Sequence, residues 1–519
     1  MRVRTQLTPR RTAAVFLAVG ALVVTAACGT RLPAKDFNLT AQGSNGQNGT
    51  GTQNGTGTQN GTGATQNGSG ATAGSKGTTG SSTTTGGGVQ SAGGLKPGQL
   101  FAHACGPASA SKNGASDKGV TNNQILIGNV VSETNPFGLD QFSPNKYGLI
   151  SFVQHCNSVG GINGRLIKLV PCNDGGTSTG NVTCVNQMIS QKAFAMVGNN
   201  TFTYDGAKES HDAGLLDIGG EPIKGAPYYQ YDTKFNIYGD GYPKDNKSPG
   251  YKGHYWGTAE LGAYLKQAQG ISRVGVVYYS QADSQRGFNV LKAGLESVGI
   301  KVYGHAVNLV NANYEGAVVA MKDQEKDEAV LDAIDQSGNE QLCQAMNSYN
   351  YNAQSGLKAK LSTIAAWSDH VGTDFDPPCR DLVWSNGKSA SYSDTSNPMI
   401  KTFRDDYAKF GQGKVLAQWA VEGYIAGIWF AQAAHSCGAN LTRACVSKWI
   451  YAQKSMTADG LMSKDVSFQK KQYSTSKTEN DCVEVVKWNQ GKRGWDTLAD
   501  INTKKYCYTT HYYPYALEG

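Results

Sequence analysis

One stretch of the 519-residue sequence has the spacing of a catalytic serine. Gly176-Thr177-Ser178-Thr179-Gly180 matches Gly-x-Ser-x-Gly, the motif in which a serine on a sharp strand-to-helix turn attacks an ester or amide. The strand before it is predicted to end at Val170, and the polar, Gly-rich residues 171–175 follow. This spacing favours a relaxed loop that caps a helix starting near Asn181. A surface hydrolase using Ser178 is kept as the alternative.

Two pairs of carboxylates lie on or just beyond predicted strand ends, where ligand groups are often found. These pairs are Asp217 with Glu221 and Asp332 with Asp335. They could equally cap the helices that follow. The sequence has no Walker loop, and no Gly-x-Gly-x-x-Gly follows a predicted strand. We therefore expect no enzyme activity and no cofactor.

The sequence contains eleven cysteines, and without Cys28 an even number remains, as is typical of an oxidising compartment. No Cys-x-x-Cys occurs, and the histidines do not cluster with the cysteines, so we expect no bound metal. Ten cysteines allow on the order of a thousand pairings. Proximity along the chain favours Cys172 with Cys184 and Cys437 with Cys445. The remaining predicted pairs are Cys343 with Cys379, Cys482 with Cys507 and Cys105 with Cys156.

The first 27 residues have the pattern of a secretory signal peptide. Arg2, Arg4, Arg10 and Arg11 precede an apolar stretch at 12–27, which is too short to span a bilayer comfortably. Residues 25–29, Thr25-Ala26-Ala27-Cys28-Gly29, overlap the end of this stretch and resemble a bacterial lipobox. Thr25 stands where Leu or Val is usual. The resemblance implies lipidation of Cys28. Ordinary cleavage, with Cys28 lost or unmodified, is the alternative.

Residues 28–96 are predicted to be a flexible tether. Gln-Asn-Gly-Thr-Gly-Thr repeats there, and a Gly/Ser/Thr run follows, so nothing can bury a core. The net charge of +7 comes entirely from residues 1–96. The remaining chain is neutral overall, which argues against a nucleic-acid partner. Residues 97–120 are expected to lead into the folded part.

Beyond Gly119, short β-branched runs alternate with helical patterns, which predicts an α/β fold with parallel sheets covered on both faces. A polar, Tyr-rich stretch at 227–255 divides two predicted sheets. Residues 414–434 are apolar, but Gln418, Glu422 and Gln432 interrupt them, so we predict a buried helix rather than a membrane span. The predicted strands are 124–131, 166–170, 193–198, 215–218, 273–279, 301–310, 329–334, 361–366 and 382–384. The predicted helices are 146–158, 181–190, 204–213, 285–298, 314–326 and 338–347.

The segment Asn157-Ser158-Val159-Gly160-Gly161-Ile162-Asn163-Gly164-Arg165 resembles the signature of the Leu/Ile/Val-binding protein family. These proteins are the substrate-binding components of ABC importers. The resemblance implies two doubly wound parallel-sheet lobes, joined by a three-crossover hinge, that close on a ligand. Lobe one would comprise 121–240 with 388–455, and lobe two 250–387 with 456–500. Residues 501–519 would form a C-terminal extension.

The same resemblance implies a ligand cleft at the carboxyl ends of both sheets. On lobe one it points to loops after the first, third and fourth strands, and on lobe two to the matching strand ends. The implied ligand residues are Asn135, Phe137, Asn200, Thr201, Phe202, Gly220, Glu221, Ser284, Asp335, Trp367 and Asp369. Thr201 and Glu221 are shifted from the family pattern for amino-acid ligands, and Trp367 lies near where the family's Glu is expected. An amide, an aromatic acid or a sugar would also suit the site.

The implied function is a lipid-anchored solute-binding protein on the outer face of the bacterial cytoplasmic membrane. Its partners would be a small polar ligand and an ABC permease, and the protein is expected to be a monomer. A sensor of the same fold is a further alternative that the sequence does not separate from transport.

Overall fold

A computed structural model describes residues 104–107, 112–135, 141–224, 226–239, 244–247, 249–251, 254–463, 466–469 and 472–515. The predicted signal peptide, Cys28, the whole tether, residues 97–103 and 108–111 of its lead-in, and Phe137 lie outside these residues. Statements about structure below concern the described part of the chain.

The first sheet has six parallel strands in the order β2-β1-β3-β5-β4, with β6 beside β5. Its strands and helices are β1 (Gln124–Val131), α1 (Ser143–Ser158), β2 (Leu166–Asn173), α2 (Ser178–Ser190), β3 (Ala195–Val197), β4 (Asn200–Thr203), α3 (Ala207–Asp212), β5 (Leu216–Lys224) and β6 (Lys234–Asn236). Continuous apolar runs such as β1 are buried from both sides, as expected for strands with helices on both faces.

The second sheet is built from the next part of the chain. The elements there are β7 (Tyr255–Gly257), α4 (Glu260–Gln267), β8 (Arg273–Tyr279), α5 (Ala282–Ser297), β9 (Lys301–Val307), α6 (Tyr314–Val319), β10 (Ala329–Ala333), α7 (Gln336–Ser348), β11 (Ala359–Ser362), α8 (Val371–Asp374) and β12 (Val383–Gly387). A π-helical turn, Ala320–Glu325, continues α6. Strands β8 to β12 pair in parallel in the order β12-β11-β10-β8-β9.

Three helices then return to the first sheet: α9 (Pro398–Phe410), α10 (Gln418–Cys437) and α11 (Arg443–Ala452). Helix α10 packs against α1 and β5, and almost all of its residues are buried. This confirms the predicted buried helix. No helix in the described residues is both long and apolar enough to cross a membrane.

The chain finally returns to the second sheet, so it crosses between the two sheets three times. The last strands are β13 (Thr478–Cys482), β14 (Glu484–Asn489), β15 (Gly494–Ala499), β16 (Cys507–His511) and β17 (Tyr513–Tyr515). Strands β14 and β15 extend the second sheet in antiparallel fashion beyond β12. Strand β13 pairs with β16, and β17 pairs with β7.

The Gly-Gly-Ile-Asn-Gly-Arg motif is explained by the turn between α1 and β2. Gly161 has φ +75°, and a Cβ there would lie 2.1 Å from the carbonyl oxygen of Arg165. The Arg165 side chain is buried and donates to the carbonyl oxygens of Thr121, Gly438 and Ala439. The motif therefore ties the edge of the first sheet to the connection between α10 and α11.

Five disulfides form, and they are the five predicted pairs: Cys105–Cys156, Cys172–Cys184, Cys343–Cys379, Cys437–Cys445 and Cys482–Cys507. The two pairs that proximity along the chain favours, Cys172–Cys184 and Cys437–Cys445, are confirmed, and so are the three remaining predicted pairs.

The predicted bounds of β1 and β8 agree with the structure, but several other expectations were wrong. The strand predicted to end at Ile218 continues to Lys224, and residues 364–366, predicted to be strand, form a 3-10 turn. The helix predicted over 314–326 changes to a π-helical turn after Val319. Strands β4, β6, β7 and β13 to β17 were not predicted. Four of them, β4, β6, β7 and β17, have only three or four residues, which is too short for a periodic pattern, and β7 pairs with β17 across more than two hundred residues.

Candidate ligand cavity

Five of the predicted ligand residues of the first sheet lie on strands rather than on loops. Asn200, Thr201 and Phe202 form β4, and Gly220 and Glu221 lie within β5. The loop assignment was wrong because main-chain pairing continues beyond β3, with Asn200 paired to both β1 and Glu221. Four of the five residues are buried, and Phe202 is half-buried.

One row of residues in register across β1, β4 and β5 includes a buried amide that has no hydrogen-bond partner within the described residues. Val131, Asn200 and Glu221 are in register, and Phe142 stacks on Trp419 with ring centroids 5.4 Å apart, against Val131. Both polar atoms of the Asn200 amide lack a hydrogen-bond partner within the described residues. Because buried amides are normally satisfied, Asn200 has the capacity to bind a water or a ligand group.

Glu221 takes part in a buried network with a second carboxyl group. The Tyr238 hydroxyl lies 2.7 Å from Glu221 Oε1 and 3.1 Å from Glu422 Oε2, and Ser389 Oγ donates to Glu422 at 2.8 Å. Burial raises the pKa of Glu422 well above its usual range, and the charge of Glu221 raises it further. One phenolic proton cannot serve two carboxylates. We infer that protonated Glu422 donates to the Tyr238 oxygen while Tyr238 donates to ionised Glu221.

On the second sheet, Asp335 caps α7. Its Oδ1 accepts from the Gly338 N–H and from the Tyr279 hydroxyl, both at 2.7 Å. The alternative given for this residue, a helix cap, is therefore the arrangement that the structure contains.

Trp367 and Asp369 lie in the connection after β11. Trp367 is fully buried and packs edge-on against Trp495 at 6.1 Å. Asp369 accepts from the Tyr392 hydroxyl at 2.8 Å, and burial raises the pKa of Asp369. These contacts hold the connection in place.

The two remaining described positions are at element ends. Asn135 lies beyond β1, where its amide donates to the Ser132 carbonyl at 3.4 Å, and Ser284 lies in the first turn of α5. The structure therefore brings Asn200, Thr201 and Glu221 together in one sheet edge. The second-sheet residues lie in separate local networks.

The predicted carboxylate pairs do not act as pairs. Asp217 accepts from Asn199 Nδ2 at 2.7 Å and from the Tyr204 hydroxyl, whereas Glu221 bonds to Tyr238. Asp332 lies 3.2 Å from Lys360 Nζ, and Asp335 caps its helix. Each carboxylate has a structural partner of its own, so neither pair has the arrangement of a general acid and base.

Ser178 is exposed and begins α2. Thr177 caps the helix by accepting from the Gly180 N–H at 3.1 Å, so the helix starts before the predicted Asn181. Among the described residues, no hydrogen bond joins Ser178 to a histidine or a carboxylate. The motif therefore serves as a helix start.

A cavity of about 600 Å³ lies where residues of both sheets meet. Tyr238 and Gly239 follow β6 of the first sheet, and Asp332, Ser362 and Asn386 come from the carboxyl-terminal parts of β10, β11 and β12. The volume falls in the range of small-molecule sites. This position is the edge at which ligands bind in parallel α/β sheets.

Aromatic side chains form one wall of the cavity. Tyr229 and Tyr255 meet edge to face with centroids 5.1 Å apart, and Trp256 stacks on Tyr473 at 6.0 Å. The end of the chain supplies three more tyrosines to the lining: Tyr512, Tyr513 and Tyr515. Rings that meet at right angles present faces and edges in several directions, which suits a compact ligand with an apolar body.

Charged side chains of both signs line the same cavity. Arg286 on α5 donates to the Ile223 carbonyl of β5, which links the two sheet edges. Glu260 Oε1 lies 3.6 Å from Lys388 Nζ, and Lys388 also pairs with Asp481. Within the described residues, Glu260 Oε2 is buried without a hydrogen-bond partner, and burial raises the pKa of Glu260. The cavity thus offers a cation and an unsatisfied acceptor.

None of the predicted ligand residues that the structure describes lines this cavity, although Glu221 bonds to its lining residue Tyr238. The sequence analysis noted the Tyr-rich stretch at 227–255 only as a boundary, and it assigned no role to the tyrosines after residue 500. Aromatic density in these two segments was the available signal. Nothing in the sequence showed that β7 and β17 pair and bring the segments together.

Comparisons with known proteins agree with this architecture. The family model described as periplasmic binding protein matches residues 124–493. A possible leucine/isoleucine/valine-binding protein from Rhodopirellula baltica is 14% identical with TM-score 0.56, covering 75% of this chain and 98% of that one. A fatty acid ABC transporter substrate-binding protein from Thermomonospora curvata is 15% identical with TM-score 0.54, covering 76% and 96%.

A third solved structure is a solute-binding protein of an ABC transporter from Rhodopseudomonas palustris, in complex with 3,4-dihydroxybenzoic acid. It is 13% identical with TM-score 0.53, covering 75% of this chain and 97% of that one. No curated protein matches the chain. At these identities the solved structures establish the fold. Tyr512, Tyr513 and Tyr515 lie beyond the residues that the family model matches.

Proposed function

The chain belongs to the periplasmic binding protein family, and from that membership we propose that it captures a small polar solute between two lobes and delivers it to an ABC importer. The observation that carries the proposal is the cavity of about 600 Å³, because residues from both sheets line it. A ligand bound there would contact both lobes, and it would favour the closed state by its differential affinity for that state. No bond needs to be made or broken.

The lining supports an amino acid, an amide or a related small acid as ligand. Arg286 can bind a carboxylate, and the unsatisfied oxygen of Glu260 can accept from an ammonium or amide N–H. The aromatic wall would cover the apolar part of the molecule. Two solved structures of this fold, a solute-binding protein in complex with 3,4-dihydroxybenzoic acid and a fatty acid ABC transporter substrate-binding protein, support an acid with an apolar body as one candidate.

We also propose that the protein is anchored outside the cell by a lipid on Cys28. The arginines, the apolar stretch and the small residues before Cys28 support this, and the Gly/Ser/Thr-rich segment would hold the binding domain away from the membrane. Mass spectrometry of the membrane-extracted protein tests the anchor, since diacylated Cys28 at the N-terminus is the expected species. A free N-terminus after ordinary cleavage would contradict it.

Titration calorimetry of residues 97–519 tests ligand binding, with a panel of amino acids, amides, small aromatic acids and sugars. We expect one solute to bind, and we expect Arg286→Gln and Glu260→Gln each to weaken that solute about tenfold or more. Arg493→Gln, on an exposed turn outside the cavity, is the matched control and should leave affinity unchanged. A folded protein that binds no member of the panel would count against solute capture. Binding that both cavity variants leave intact would place the site elsewhere.

A further inference from the structure

Three potential metal ligands meet at the edge of the second sheet, away from the cavity. His305 lies on the edge strand β9, Glu325 ends the π-helical turn, and Asp327 precedes β10. One imidazole nitrogen and one oxygen from each carboxylate lie within 4.8 Å of one another, and His305 Nε2 is 2.9 Å from Glu325 Oε2. The sequence analysis expected no metal, because it searched for cysteines and histidines close together along the chain.

The hydrogen bonds of the described residues do not explain why the Asp327 carboxylate is buried. It is 4% exposed, and within the described chain neither carboxylate oxygen has a hydrogen-bond partner. The nearby guanidinium of Arg273 donates through Nε to the Lys326 carbonyl instead. A buried carboxylate without a hydrogen bond, beside a second carboxylate, is unfavourable unless a proton or a cation neutralises the pair.

The backbone places these groups together by an uncommon route. The π-helical turn Ala320–Glu325 ends at Lys326, which has the left-handed conformation with φ +56°. This reversal directs Glu325 and Asp327 towards the same strand edge. Gly275 on β8 leaves the necessary room, because a Cβ there would lie 2.7 Å from Asp327 Oδ2. Such π-helical turns recur at functional sites.

We propose that His305, Glu325 and Asp327 bind a divalent transition-metal ion, with Zn²⁺ as the preferred probe. One imidazole and two carboxylates form a donor set that suits Zn²⁺, and water would complete the coordination. Around a tetrahedral ion with bonds of about 2.1 Å the donor atoms would lie about 3.4 Å apart, so shifts of up to about 1.5 Å from the present separations within 4.8 Å would form the site. The ion would fasten the edge strand β9 to the connection that enters β10. The role is structural, and it does not depend on the proposed solute cavity.

The test uses residues 97–519 without a histidine tag, stripped with a chelator and then titrated with Zn²⁺ in a calorimeter. We expect one ion per chain and a higher midpoint of thermal unfolding when the ion is bound. Asp327→Asn should weaken Zn²⁺ binding at least about a hundredfold, and His305→Gln at least about tenfold. The matched control is Asp374→Asn, which alters another His–Asp pair, and it should bind like the unsubstituted protein.

Each outcome decides the proposal. If Asp327→Asn fails to fold, His305→Gln gives the answer, because the His305 side chain is 11% exposed whereas Asp327 is 4% exposed. Absence of Zn²⁺ binding, or binding that both variants retain, overturns the site and leaves a carboxyl pair that shares a proton. In that case Asp327→Asn should change stability equally with and without Zn²⁺. Solute binding, measured in the same samples, would be unaffected by either result.

Discussion

The two sheets bury charged side chains in opposite ways. Within the second sheet, Asp332 and Lys360 form a pair of opposite charge at 3.2 Å, with both side chains fully buried. Beside the first sheet, Glu221 and Glu422 form a pair of like charge joined through Tyr238. Burial raises the pKa of Asp332 and lowers the pKa of Lys360, but their mutual attraction opposes both shifts. Within the described residues Glu422 has no such cation, and burial together with the charge of Glu221 raises its pKa.

The difference follows from position. Lys360 and Asp332 lie on neighbouring strands in the interior of the second sheet. Asn339 and Ser362 complete their hydrogen bonds there. The Glu221–Glu422 network instead joins segments at two of the three crossovers, at Tyr238 and Ser389. The Asp332–Lys360 ion pair therefore lies inside one lobe. The hydrogen bonds of Tyr238 with the two carboxyl groups, Glu221 and Glu422, instead link the segments that cross between the lobes.

The largest expected effect comes from breaking the ion pair. Lys360→Met leaves Asp332 buried without its cation, and we expect the free energy of unfolding to fall by about 3–5 kcal/mol in urea denaturation. Lys358→Met is the control, because Lys358 forms a more exposed pair with Glu328 at 3.1 Å and should cost less than about 1 kcal/mol. Equal losses of unfolding free energy in the two variants would show that burial of the Asp332–Lys360 pair does not increase its contribution to stability.

A smaller effect is expected from Tyr238→Phe, which removes the hydroxyl between the two carboxyl groups. Ionised Glu221 would lose its 2.7 Å donor while still buried, and we expect a loss of about 1–3 kcal/mol, measured by the same denaturation. Tyr303→Phe, at a half-exposed tyrosine, serves as the control. If the two substitutions cost the same, the hydroxyl does not join the pair.

The smallest effect, measured below about pH 4.3, is expected from Glu422→Gln. The amide can donate to Tyr238 and accept from Ser389 as the protonated acid does, so at that pH the free energy of unfolding should change by less than about 1 kcal/mol. The effect on pH dependence should be larger. Because the pKa of Glu422 is raised in the folded state, its contribution is complete below the unfolded pKa of about 4.3 and is lost as pH rises through the folded pKa.

Glu422→Gln should therefore flatten the decline in the free energy of unfolding above about pH 4.3, a decline of at most about 1.4 kcal/mol per pH unit for one group. Urea denaturation over a pH series measures this slope. Glu296→Gln, at an exposed glutamate on α5, should retain the slope of the unsubstituted protein. A decline that persists unchanged in Glu422→Gln would assign the pH dependence to other groups.

Local patterns predicted the framework well where a single segment carries the signal. The apolar run of β1 and the alternation of strands with helices follow from burial on both faces, and the disulfides follow from proximity along the chain. The surroundings of the predicted ligand residues were harder to predict. A fully buried Asn200 and a helix-capping Asp335 occupy similar strand ends in the sequence, but only their neighbours in space distinguish them.

The sequence by itself determined the α/β class, the pairs Cys172–Cys184 and Cys437–Cys445 and the family resemblance of the Gly-Gly-Ile-Asn-Gly-Arg turn, because each depends on residues that are close along the chain. The tertiary structure decided which charges are paired and what lines the cavity. Glu221 meets Glu422, and β7 meets β17, across more than two hundred residues. Burial sets the desolvation free energy of a charged group and the contribution of aromatic rings to ligand binding. It is a property of the packed molecule and not of any one segment.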